Sequence, residues 1–181
     1  MPLAMGLLMP ASSSSTLGYE SWRLVERAHD SARAGLHETL FALGNGRIGL
    51  RGSHEEGGLW PGTTQDSVFI NGFHDTEEIH YPEGAFGLPR QNQFLVDVPN
   101  GKLIRWSVDG EIFDPGSGHI ENYRRVYDMR EASLCRSFIW TSPKGKRVAV
   151  ESRRIVCMER AQLYAIEFSV SALDEPGVVA I

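Results

Sequence analysis

From Phe94 to Val170 apolar residues recur at every second position, and each short run ends at residues that turn a chain. Phe94, Val96 and Val98 alternate and stop at Pro99-Asn100-Gly101; Ile104, Trp106 and Val108 alternate and stop at Asp109-Gly110. Tyr123, Arg125, Tyr127 and Met129 share one phase. They are followed in phase by Leu134, Arg136, Phe138 and Trp140, by Val148 and Val150, and by Tyr164, Ile166, Phe168 and Val170. A period of two sends neighbouring side chains to opposite faces of a sheet, so each run reads as a half-buried strand. Repeated through consecutive segments, the pattern predicts an all-β fold, an antiparallel β-sandwich. Composition agrees, since 19 glycines and 9 prolines in 181 residues are too many breakers for a helix bundle.

Up to Gly52 the pattern is less regular. Met1 to Met9 is apolar, but no Lys or Arg precedes it and Pro10 ends it before the Ser12 to Ser15 run, which has no apolar face to offset ordering entropy. Residues 1–18 therefore read as a disordered leader and residues 19–181 as one domain. Trp22 and Leu24 alternate as a strand. The polar stretch Glu26 to Glu38 has Leu24, Ala28 and Ala32 at helical spacing but no continuous apolar stripe, and a loop is expected there. Phe41 and Leu43, then Gly44-Asn45-Gly46, then Ile48 and Leu50 predict a hairpin with a type I′ turn. Gly44, Gly46 and Gly49 match a phosphate-cradle spacing, but with strands on both sides they read as turn residues. Ser53 to Gln93 is irregular, with one expected strand from Ser67 to Ile70. Its aromatics Trp60, Phe69, Phe73, Tyr81 and Phe86 are expected to pack it against the rest of the fold.

Charge and cysteines narrow the partners. Lys plus Arg 18 against Asp plus Glu 23 gives a net charge of −5, opposite to the basic footprint of a nucleic-acid binder. No apolar stretch is long enough for a membrane span. Cys135 and Cys157 are too few for a disulfide scaffold, and a cytoplasmic setting is expected. A hairpin with Ser142 opposite Gly145 places Arg136 opposite Glu151, Trp140 opposite Arg147 and Cys135 opposite Ser152. Cys157 then lies roughly 17 Å from that pairing point, beyond the reach of a disulfide at about 7 Å, so both thiols are expected to be free.

The run from Glu38 to Gly52, Glu-Thr-Leu-Phe-Ala-Leu-Gly-Asn-Gly-Arg-Ile-Gly-Leu-Arg-Gly, resembles the opening of glycoside hydrolase family 65. Five further strings fit that family in the same order: Phe69-Ile70-Asn71-Gly72-Phe73, Pro99-Asn100-Gly101-Lys102, Tyr127-Asp128-Met129-Arg130, Arg136-Ser137 and Trp140-Thr141-Ser142-Pro143. The resemblance covers Tyr19 to Asp174. It implies a sandwich of the galactose-mutarotase-like supersandwich type, incomplete at its C-terminal end, which in the family precedes an (α/α)6 catalytic barrel. The implied parent is an inverting phosphorylase or hydrolase of disaccharides such as maltose, trehalose or kojibiose. Inorganic phosphate would be its co-substrate, with no other cofactor and no metal.

Family resemblance also implies that the general acid is a barrel glutamate, so no catalytic residue is expected here and the chain should be inactive alone. The expected partners are the downstream barrel, the disaccharide and, through exposed strand edges, further copies of the chain. Candidate substrate contacts are Asn45, Arg47 and Arg51, at or near a hairpin tip, and Trp60, flanked by Gly58 and Pro61 as a loop-presented stacking face. Trp106 and Trp140, within alternating strands, read as core. Glu55, Glu56, Asp66, Asp75, Glu77, Glu78 and Glu83 make the irregular stretch acidic, which reads as a solvated loop, and His54, His74 and His80 lack the spacing of a metal site. The rival reading is a free-standing carbohydrate-binding or protein-interaction module built on Trp60.

Overall fold

The computed structural model describes residues 16–181. Strands β1 (Leu17–Glu20) and β2 (Arg23–Glu26) lead through a 3-10 turn at Ser31–Arg33 into helix α1 (Ala34–Leu40). There follow β3 (Leu43–Gly44), β4 (Ile48–Leu50), β5 (Val68–Glu78), β6 (Gln91–Asp97), β7 (Ser107–Val108) and β8 (Glu111–Ile112). The chain continues through β9 (His119–Asp128), β10 (Ser133–Thr141), β11 (Arg147–Val156), β12 (Tyr164–Ala172) and β13 (Val179–Ala180). Residues 17 and 18 thus belong to β1; the remainder of the expected leader, residues 1–15, lies outside the described residues.

The strands form antiparallel sheets ordered β1-β2-β9-β10-β11-β12, β3-β4-β5-β6 and β13-β7-β8. The six-stranded sheet turns its alternating apolar face inward, and the two smaller sheets cover its two ends. One apolar cluster joins Trp106, Val108 and Phe113 to Phe138, Trp140, Val148 and Val150; the other joins Phe41, Leu43, Leu50 and Val68 to Leu24, Leu134 and Val156. The antiparallel sandwich predicted from the period of two is the observed architecture.

Four local expectations are corrected. Helix α1 occupies part of the stretch read as loop; its buried residues are Ala34, His37 and Glu38, so two of its three inward positions are polar and leave no apolar stripe to detect. The hairpin after β3 turns on Gly46 and Arg47, with Asn45 N–H bonded to Ile48 O and a positive φ of 84° at Gly46 alone. That is the geometry of a type II′ turn, with glycine first, instead of type I′. The type I′ pair is Asp109-Gly110, where φ is 49° and 79°.

Strand β5 runs to Glu78 instead of ending at Ile70, and with β6 it makes a ribbon. Polar residues alternate with little apolar content there because the ribbon stands clear of the core: Phe73, Tyr81 and Phe86 are exposed, against the expectation that they pack inward. The β10–β11 register is also one residue from that expected, with Arg136 opposite Ser152, Trp140 opposite Val148 and Cys135 opposite Arg153. Ser142 N–H bonds to Lys146 O, so Pro143-Lys144-Gly145 forms a three-residue loop with Gly145 at φ 88°.

Candidate functional site

Along the inward phase of the large sheet the sequence interrupts its apolar alternation with charge. On β9 Arg125 lies between Tyr123 and Tyr127, on β10 Arg136 lies between Leu134 and Phe138, and on β11 Ser152 and Arg154 lie between Val150 and Val156. The register aligns these interruptions: Glu26 is opposite Arg125, Arg125 opposite Arg136 and Arg136 opposite Ser152. A polar layer therefore crosses the core between the two apolar clusters. Facing arginines repel, and buried guanidinium groups need anions.

The loop after β4 supplies them. Arg136 makes a two-pronged pair with Glu56 at 2.7 and 2.8 Å and reaches Glu55 at 2.8 Å. Arg154 bonds Glu55 at 2.6 Å and the Ser53 carbonyl at 3.0 Å. Trp60 and Trp106 donate their indole N–H groups to Glu56 at 2.9 and 3.3 Å. Glu26 accepts from the Tyr123 hydroxyl at 3.0 Å, pairs with His37 Nδ1 at 2.7 Å and faces Arg125 at 3.6 Å. Glu38 caps the chain at Gln65 and Asp66 by accepting their N–H groups at 2.9 and 2.6 Å. Beside this layer Lys102 Nζ is buried against Asp66 and Asn100, and burial lowers its pKa more than Asp66 raises it.

Electrostatics follow from the packing. Burial alone would raise the Glu55 pKa, but Arg154 and Arg136 outweigh it and hold the carboxyl at about 2. Burial, reinforced by Arg125 and Arg136, pushes His54 well below its ordinary 6.5, so it is neutral at physiological pH. Burial raises the Tyr123 hydroxyl and keeps it protonated. The Tyr123 hydroxyl donates to Glu26, so it accepts from His54 Nε2 at 2.8 Å.

This arrangement holds a fold and offers no room for chemistry on a sugar. The space bounded by Glu26, His37, Glu38, His54, Trp60 and Arg125 is about 10 Å³, enough for one water. A glycosidic general acid needs a raised pKa, and Glu55 is displaced the other way. Reading the irregular stretch as a solvated acidic loop is therefore wrong for Glu55 and Glu56, which are 3% and 1% exposed. Their signal lay elsewhere in the chain, in the arginines on the apolar phase of β9, β10 and β11.

Residues singled out as substrate contacts separate. Asn45 spends its amide on the fold, donating to the carbonyls of Cys157 and Ala161 at 2.7 and 3.0 Å and accepting from Arg47 and Ile48 N–H. Arg51 is half-buried and reaches Glu38 at 3.5 Å. Trp60 is 6% exposed, stacked on His54 at 4.3 Å, so the core takes the ring that the sequence offered as a loop platform. Arg47 alone of the four is exposed, at the tip between β3 and β4. Trp106 and Trp140 are core, as their strands predicted. Among the described residues there is no group of three or more His, Cys, Asp or Glu that could hold a metal, and no helix long and apolar enough to cross a membrane.

The strings that carried the family resemblance are those that build this fold. Asn71 donates to the Gly46 carbonyl, Asn100 to that of Asp66, Asp128 accepts from Arg130 and Glu131 N–H, and Ser142 bonds Glu111. An α,α-trehalose phosphorylase of Thermoanaerobacter brockii is 37% identical over 162 residues, covering 89% of this chain and 21% of that protein. A kojibiose phosphorylase of Caldanaerobacter subterraneus is 28% identical over 91% of this chain and 20% of its own length. An uncharacterized glycosyl hydrolase of Mycobacterium leprae is 40% identical over 86% of this chain and 19% of its own length. A solved structure from the human microbiome, provisionally assigned as a kojibiose phosphorylase, has the same fold with a TM-score of 0.76 at 22% identity, over 87% of this chain and 20% of that one. The chain thus spans about a fifth of the length of the relatives it matches. Residues 24–181 match the glycosyl hydrolase family 65 N-terminal domain, and with the motifs and the sandwich in agreement the chain belongs to that family.

Proposed function

We propose that this chain is the non-catalytic sandwich of an inverting α-glucoside phosphorylase or hydrolase acting on disaccharides such as trehalose, kojibiose or maltose. Its task is to brace a helical catalytic barrel and to lend surface loops near that barrel's mouth. One observation carries the scaffold reading: each buried carboxylate in the core is bound by cations, hydroxyls or N–H groups, around a space of about 10 Å³. No acid is left poised to protonate a leaving group. In the parent, inorganic phosphate would replace water as the nucleophile, supplied by the barrel. Arg47, exposed at its hairpin tip, is the candidate here to touch a substrate or the barrel rim. Two free thiols suit a reducing, cytoplasmic setting.

The test is to assay the chain alone and joined to the catalytic portion of its parent. Alone it should release no glucose or glucose 1-phosphate from trehalose, kojibiose or maltose, and the joined protein should do so. Turnover by the isolated chain that disappears in Glu55→Gln would refute the scaffold reading. In the joined protein Arg47→Ala should raise KM with little change in kcat; unchanged kinetics would remove Arg47 from the mouth.

A further inference from the structure

We infer that the ribbon made by β5 and β6 is a dimerisation arm, in which the outer edge of β6 pairs antiparallel with the same edge of a second copy of this chain. β6 ends the sheet order β3-β4-β5-β6, so among the described residues nothing pairs with its outer side. β4 covers β5 only from Val68 to Ile70, and beyond that the ribbon has two strands alone. Two strands are marginal in water, whereas three or more with an apolar face are stable. The ribbon has such a face unfilled. Phe94 is opposite Asp75, Phe73 lies two residues along β5 on the same side, and they are 42% and 52% exposed.

Charge decides which edge pairs and with what. The β5 edge carries Asp75, Glu77 and Glu78, which would repel their own copies across a two-fold axis. On β6 the segment Gln91-Asn92-Gln93-Phe94-Leu95-Val96 has no charge and no proline, the two devices by which proteins guard exposed edges. The hydrogen-bond phase identifies the free groups. Ile79 N–H bonds Arg90 O, and the pairs alternate from there, so Asn92 and Phe94 bond inward to Glu77 and Asp75. Gln91, Gln93 and Leu95 therefore point N–H and C=O outward.

An antiparallel edge is its own complement. With the two-fold axis at Gln93, Gln93 faces its copy and Gln91 faces Leu95 of the second chain, giving about six backbone hydrogen bonds. The two Phe94 rings become diagonal neighbours about 7–8 Å apart, within reach of each other. The result is a four-stranded sheet that uses up both β6 edges, so assembly closes at two.

Sedimentation velocity on the whole chain tests this at micromolar to tens of micromolar concentration. The expected species is a dimer. Gln93→Pro removes only an outward N–H and leaves the β5 ladder intact; it should weaken association tenfold or more, as should Gln93→Lys by facing two cations. Thr76→Pro, the matching change on the acidic edge, should leave the dimer unaltered. Gln93→Cys should give a disulfide-linked dimer on mild oxidation, which the parent chain does not. A monomeric parent chain, a dimer indifferent to both Gln93→Pro and Gln93→Lys, or one dissolved equally by Thr76→Pro would overturn the inference. Each outcome is independent of whether the parent enzyme is a phosphorylase.

Discussion

Arg136 meets two carboxylates at once, with Glu56 held by both guanidinium prongs and Glu55 shared with Arg154. Replacing Arg136 by Met leaves two buried anions short of a cation, which costs far more than the packing of the new side chain returns. The expected loss is about 3–5 kcal/mol of unfolding free energy, read from urea denaturation. Acid should act in two stages. His54 is neutral in the fold while its unfolded counterpart protonates near 6.5, so stability begins to fall as pH drops through 6.5. Glu55 is depressed from 4.5 to about 2, so its contribution is complete above 4.5 and is lost between 4.5 and 2. A melting-temperature series against pH should show both stages, and His54→Gln should abolish the first alone; a first stage that survives this substitution would assign it to another group.

Elements here were legible wherever one face met the core and the other met solvent. β9 to β12 follow the alternation of Tyr123, Leu134, Val148 and Tyr164 because each strand packs one side only. Helix α1 escaped because its inward residues His37 and Glu38 are polar and find partners distant in sequence, Glu26 on β2 and the chain at Gln65. The far half of β5 escaped because it packs against nothing within the fold. The β10–β11 hairpin shows how one glycine decides register: Gly145 takes a positive φ, so the loop has three residues and every cross-strand pair moves by one. Gly145→Ala should destabilise the chain by about 1–2 kcal/mol, the cost of a Cβ in the left-handed region, measured by chemical denaturation. A neutral result would mean that the loop adopts another turn.

At the scale of the molecule the sandwich is two apolar clusters separated by an ionic layer that crosses from the large sheet to the loop after β4. That layer makes the covering loop a structural member, tied by Glu55, Glu56 and Trp60. Cys135, opposite Arg153 on β10, and Cys157, beyond the end of β11, are free in this arrangement. Titration of the unfolded, unreduced chain should find 2 thiols per chain, and fewer would reveal oxidation that this fold does not accommodate. What the sequence determined by itself was whatever depends on near neighbours along the chain: the period of two, the turns at Asp109-Gly110 and after Ser142, and the family strings. The all-β class follows from these because strand pleat and turn backbone are local properties. Only the tertiary structure decided that Glu55 and Glu56 are buried anions, that Trp60 is core, and that the β6 edge is bare. Those facts depend on which distant segments meet, since a carboxylate is solvated or locked according to the arginines that another strand brings to it.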